Sequence, residues 1–377
     1  MNKKVVAVFS CAFLFFFCTP NLHGQIPVGC IPLGSSVASG SSQSNTTEDC
    51  DYNNYRTING TLNDLNNPDE GKAHLEFSRL FPADYEGDGS TMVDRGNPRT
   101  ISNLVMAQGQ SIPSQTGLNQ LVFTFLQFLD HDITATEVSR TEPADIQIPA
   151  GDPEFDPFGQ GQAIIPFTRS TFEEGTGTST TNPRMQENSI TSWIDGSVVY
   201  GSDIDRANWL RAFSDGKLKE STSHNGALLP YNTMDGQYES PLDPNAPFMD
   251  GDTDRDGNPQ KVFVAGDVRA NEQPGLTTLH TLFMKEHNRI CDELIANGSN
   301  DDELNYQYAR KMVGGILQSI VVYELLPTLG IHLSNDAYDP NLAPEISTEF
   351  ATAAYRLGHT MIPVSYTHLT LPTICSV

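Results

Sequence analysis

The chain has 377 residues, enough for one large domain or two ordinary ones with a substantial core. Its 22 Lys and Arg face 47 Asp and Glu, a formal charge of -25 at pH 7, which argues against polyanionic partners such as nucleic acid or an anionic membrane face. The acid excess suits solubility or divalent cations instead.

From the start of the chain, Lys3 and Lys4 precede an apolar run from Val5 to Phe17. Thr19, Pro20 and small or polar residues follow as far as Gly24, so residues 1–24 read as a secretory signal and the product as extracellular. The run is too short to span a bilayer, and no later segment is apolar enough to do so. Cys30 and Cys50 can close a small loop in an oxidising compartment. Cys291 lies inside an apolar helical pattern and reads as a buried thiol. Sequons at Asn45, Asn59 and Asn297 are compatible with secretion. Residues 25–54, rich in Ser, Gly, Asn and Thr, read as a flexible leader. From Tyr55 to Ser102 the sequence predicts turn-rich coil, punctuated by Asn59-Gly60, Asn67-Pro68, Phe81-Pro82 and Asn97-Pro98.

Helical spacing begins with Leu118, Leu121, Val122, Phe125 and Leu129, predicting a helix over 117–132. Pro274 opens a second, with Leu276, Leu279, Phe283, Ile290 and Leu294 in phase up to Asn297-Gly298. A third is expected over 304–326, ending at Pro327. A fourth is expected over 345–357, with Ile346, Phe350, Ala353, Ala354 and Leu357 inward and Gly358 as its stop. The expected fold class is mainly α, with long irregular loops, little sheet and no internal repeat.

Four segments carry polar residues suited to chemistry. In Gln127-Phe128-Leu129-Asp130-His131-Asp132, Gln127 and His131 are four apart and share a helix face, while Asp130 and Asp132 point elsewhere. The same pattern also fits a helix end with solvated Asp and His. Asp267-Val268-Arg269-Ala270-Asn271-Glu272 sets an arginine and a glutamate just ahead of a helix, where Arg can hold an anion or polarise a bound oxygen. A surface Arg with a Glu near a helix start is the plainer alternative. Tyr355-Arg356-Leu357-Gly358-His359 sets a histidine after a helix-ending glycine, able to ligate iron or simply to cap the helix. Thr191, Asp195 and Ser197 put oxygen-bearing side chains in one loop, with the Trp193 carbonyl between them, a donor set suited to calcium; a metal-free Ser/Thr turn is the alternative.

Together with YRTINGT from Tyr55, LFMKEHNRI and the run to Pro363, these segments resemble, in order, the animal haem peroxidase family. The resemblance covers residues 55–363 and implies a haem-peroxidase helical domain, incomplete at its C-terminus, followed by a non-family tail over 364–377 in which His368 and Cys375 have no role. It implies haem b and calcium as cofactors, and as substrates hydrogen peroxide with a small anionic or phenolic reductant. His131 would be the distal base, Arg269 the cation facing the breaking O–O bond, and Gln127 the holder of a distal water or halide. His359 would be the axial iron ligand, and Asp130 and Glu272 the carboxylates esterified to haem. Gln273 stands where some members carry a sulfonium-forming methionine, so a third link is not expected. Asp132, Thr191, Trp193, Asp195 and Ser197 would bind one calcium, Trp193 replacing the usual phenylalanine. The resemblance leaves open a non-enzymatic adhesion or matrix protein that keeps the fold. Asp252 to Gly257 looks like the front half of a second calcium loop, but Phe263 stands where its glutamate belongs, which favours a solvated acidic loop.

Overall fold

The computed structural model describes residues 55–362, apart from 111, 114, 116, 225, 334–338 and 340. The predicted signal, the leader with Cys30 and Cys50, and the tail with His368 and Cys375 lie outside the described residues. Within them a short strand, β1 (Leu75–Glu76), comes first, followed by a helix, α1 (Pro98–Val105), where the sequence predicts coil. The Asn97 side chain accepts from the Thr100 N–H, and Pro98 takes the first helical position. Asn-Pro therefore starts a helix here, since a capping oxygen and a fixed φ serve a helix start as well as a turn.

The predicted helix at the first chemical segment is α2 (Gln120–Ile133), capped by Asn119 through the Leu121 N–H. The chain then makes β2 (Val138–Pro143), β3 (Ile146–Gln147), β4 (Ile164–Ile165), β5 (Thr168–Ser170) and β6 (Glu187–Asn188). These pair antiparallel as β2 with β5, β3 with β4, and β6 back with β1, each ladder only two strands wide. Two short helices follow, α3 (Ser197–Tyr200) and α4 (Ile204–Leu210), and then the hairpin of β7 (Ser221–Ser223) and β8 (Gly226–Leu228). The strands pin loops and do not build a core.

The core lies between helices. The predicted second helix is α5 (Pro274–Ala296), with Gln273 capping Gly275 and Pro274 at the start. The predicted third is α6 (Asp302–Ile320), capped by Asp301 and carried on through a wide π turn at Val321–Leu325 into α7 (Leu326–Thr328). The π turn shifts the hydrogen-bond register just before Pro327, whose ring nitrogen cannot donate, and helical winding continues past the proline to Thr328. Phe128 of α2 is fully buried, stacked on Phe283 of α5 at 5.1 Å and edge-on to His280 at 5.0 Å. Leu276, Leu279, Val313 and Leu317 continue the same cluster between α5 and α6, with Val198 and Tyr200 of α3 wedged in. Cys291 is buried there as expected, and burial pushes its thiol up to about 12.

The fourth predicted helix differs. Phe350–Ala354 form a π turn and Tyr355–Met361 a 3-10 helix, so winding runs through Gly358 instead of stopping there. The expected inward face is not inward: Leu357 is 66% exposed, Phe350 is 37% exposed, and Ala353 and Ala354 are exposed, with Ala351 buried instead. Fixed anchors at both ends account for the change. Glu349 accepts from the Leu80 and Phe81 N–H groups at 3.0 and 3.1 Å, while the Tyr355 hydroxyl donates to the Leu126 carbonyl at 3.0 Å. A wide turn followed by a tight one meets both anchors, and the extra residue rotates the periodic face away from the core.

Candidate active site

Burial at the C-terminal end of α2 is unusual because it takes in charge. Asp130, His131 and Asp132 are all less than 5% exposed. Burial, then the Arg269 charge, hold the His131 ring well below the ordinary histidine range, so it is neutral near pH 7. Its Nδ1 lies 3.4 Å from the Asp267 carboxylate. That carboxylate also takes the Arg269 guanidinium, Nε at 2.8 Å and Nη2 at 2.7 Å, and the Arg269 backbone N–H at 2.9 Å. Burial alone would raise the Asp267 pKa, but Arg269 and the surrounding donors hold it below the usual carboxylate range. Arg269 Nη2 also donates to the Thr134 carbonyl at 2.9 Å, which docks the arginine onto the end of the helix carrying His131.

One turn earlier, Gln127 donates to Glu272 at 2.6 Å and accepts from Gln273 at 3.1 Å. On the other side of α2, Asp130 accepts from Thr134 Oγ1 at 2.8 Å and from Arg356, whose Nη1 approaches Oδ2 at 3.0 Å. Arg356 precedes His359 by three residues in a 3-10 helix, where positions three apart eclipse one another. Tyr355 and Arg356 dock this helix against α2, while His359, three residues beyond Arg356, is exposed.

Asp132 projects into the loop before α3. It accepts from the Asp195 N–H at 3.1 Å, the Gly196 N–H at 3.3 Å and the Val198 N–H at 2.9 Å, and from the Ser197 hydroxyl at 3.3 Å. The Thr191 hydroxyl donates to Asp195 at 3.0 Å, so four of the five predicted ligand residues come together in one hydrogen-bonded web. Trp193 lies in the same loop, its indole donating outward to the Glu70 carbonyl at 3.1 Å. Gly71 sits against that indole with φ +69°, and a Cβ there would come within 2.5 Å of Nε1. Burial, then the neighbouring Asp195 charge, raise Asp132 to about 7, and burial raises Asp195 as well. Among the described residues no three His, Cys, Asp or Glu side chains converge as a metal cluster, so the donor set is two carboxylates with neutral oxygens. The Asp252–Gly257 segment closes on itself: Asp254 accepts from the Asp256 and Asn258 N–H groups at 2.9 and 2.8 Å, in an exposed turn.

Two residues of this site were not singled out in the sequence, Asp267 and Arg356. Both sit inside quoted segments, two before Arg269 and three before His359, but their partners are far away in sequence.

Known proteins resemble this chain over most of its length. The profile of the family described as animal haem peroxidase matches residues 55–375, reaching past Pro363. The chain is 34% identical over 359 residues to the peroxidasin homolog pxn-2 of Caenorhabditis elegans, covering 83% of this chain and 26% of that protein. It is 31% identical over 364 residues to thyroid peroxidase of Canis lupus familiaris, covering 83% of this chain and 37% of that one. Among solved structures, peroxidase A from Dictyostelium discoideum superposes with a TM-score of 0.70 at 29% identity, covering 81% of this chain and 59% of that chain. The chain thus spans well under half the length of these two curated relatives. With the mainly helical fold, the ordered segments and the buried His–Asp–Arg group in place, the chain belongs to the animal haem peroxidase family.

Proposed function

We propose that the chain carries the peroxide-reducing site of a secreted haem peroxidase that oxidises halide, thiocyanate or small phenolic donors. The observation that carries this reading is the neutral, buried His131 joined through Asp267 to a fixed Arg269 cation. Haem is supported by the family match and by the buried, neutral His131 beside the Arg269 cation. His131, Arg269 and Gln127 would lie on its distal side, His359 would ligate the iron, and Asp130 and Glu272 would form ester links. Arg356 ties the helix carrying His359 to Asp130, so the proposed axial and distal elements are one connected unit.

Bound haem would supply the redox-active iron that accepts peroxide and later takes electrons from the donor. His131, unprotonated, takes a proton from one peroxide oxygen and returns it to the departing one. Arg269, charged at every working pH, lowers the energy of the negative charge that builds on that oxygen. Gln127, held by Glu272 and Gln273, offers an amide to a water or halide. Calcium fits Asp132, Thr191, the Trp193 carbonyl, Asp195 and Ser197, because burial still raises both acids although Arg56 and Arg310 lie nearby, and hard oxygen donors suit that cation. The first 24 residues support secretion, and among the described residues no helix is long and apolar enough to cross a membrane.

The test is to load the chain with haem and follow the Soret band and peroxide consumption. His131→Ala should keep the band and lower the rate by roughly 10²–10⁴-fold. Undiminished turnover would reject the assignment, and full release of haem on acid extraction would reject the esters.

A further inference from the structure

We propose that Asp267 is a positioning residue that holds His131 as its Nδ1–H tautomer, leaving Nε2 free to accept a proton, while the same carboxylate sets the direction of Arg269. Its catalytic meaning rests on the peroxidase reading above; the tautomer itself does not. A neutral imidazole carries one ring proton, and which nitrogen holds it is decided by the partner each nitrogen meets. His131 Nδ1 is buried, makes no well-aligned hydrogen bond among the described residues, and has the Asp267 carboxylate at 3.4 Å. An ionised carboxylate only accepts. With Arg269 donating from Nε, Nη2 and its backbone N–H, Asp267 stays ionised. The other tautomer would turn the Nδ1 lone pair toward that anion, so the proton belongs on Nδ1.

The geometry also makes one acid serve two groups. Arg269 gives Nε and Nη2 to Asp267, and the same Nη2 also donates to the carbonyl of Thr134, the residue that ends α2. His131 lies three residues before Thr134 on that helix. The base and the cation therefore keep their relative place because both are referred to Asp267 and to the end of α2. Neither is free to turn without breaking a charged contact.

The experiment uses the full chain with 15N-labelled histidine. Ring nitrogens are read by long-range proton–nitrogen correlation, and His131 is assigned by its loss in His131→Gln. The expected result is protonated Nδ1 in the wild type by more than tenfold, shifting to the Nε2–H form or a mixture in Asp267→Asn, whose amide can donate to Nδ1. In the haem-loaded chain, cyanide binding requires a proton acceptor and is read from the Soret shift. Its affinity should fall at least tenfold in Asp267→Asn and recover in part in Asp267→Glu. Nε2–H in the wild type, or an unchanged tautomer in Asp267→Asn, overturns the proposal. Should Asp267→Asn not fold, the wild-type spectrum alone decides. Should the chain take up no haem, the peroxidase reading fails while the tautomer result still stands or falls on its own.

Discussion

Asp132 of α2 reaches into the buried loop that carries Asp195, and the Ser197 and Val198 N–H groups that face them only partly offset the cost of two desolvated charges. A bound cation would turn that cost into stabilisation. Asp195→Ala is therefore expected to lower bound calcium, measured by atomic emission after exhaustive dialysis against a low-calcium buffer; unchanged metal content would remove Asp195 from the ligand set. At this scale the sequence is a good guide to residues adjacent to a motif and a poor guide to their partners. His131, Arg269 and His359 stand out from their neighbours. Asp267 and Arg356 do not, because each matters only once the chain has folded back on α2, Arg356 across 226 positions from Asp130.

Helices whose faces are fixed by burial were legible. α2 and α5 start and stop within a few residues of their predicted limits, and α6 starts where expected but gives way to the π turn at Val321 before its predicted end, because the caps and a regular apolar stripe agree with the packing up to that point. The segment bearing His359 was not legible as an element. Its winding is set by Glu349 at one end and by Tyr355 and Arg356 at the other, contacts that leave no periodic trace. The join between α2 and α5 rests on Phe128, fully buried between Phe283 and His280. Phe128→Ala should cost about 3–5 kcal/mol in chemical denaturation, as expected for an aromatic removed from a core that cannot collapse around the gap. A loss below roughly 1 kcal/mol would mean that the α2–α5 contact is not the centre of the core.

For the whole molecule, two buried histidines on α5 tie stability to pH. Burial, against the Gly216 carbonyl bonded to its Nε2 at 2.8 Å, lowers His287 to about 4, and burial lowers His280 to about 4 as well. Both ordinarily titrate near 6.5. Between those values the unfolded chain binds protons that the folded chain refuses. Stability from this source is complete above about pH 6.5 and falls as pH drops toward 4, by at most about 1.4 kcal/mol per pH unit for each ring. His287→Gln should show a shallower slope of unfolding free energy across that window than the wild type. Identical slopes would show that folding does not lower the His287 pKa.

The indole of Trp193 reaches from the loop of buried acids to the Glu70 backbone, and the chain has just one other tryptophan, Trp209, bonded to Asp243 at 2.9 Å. Any change in how that loop is filled must pull on a fluorophore whose polar end is already tethered. Calcium added to the protein is thus expected to change the Trp193 ultraviolet emission, a gauge of the loop that needs no label.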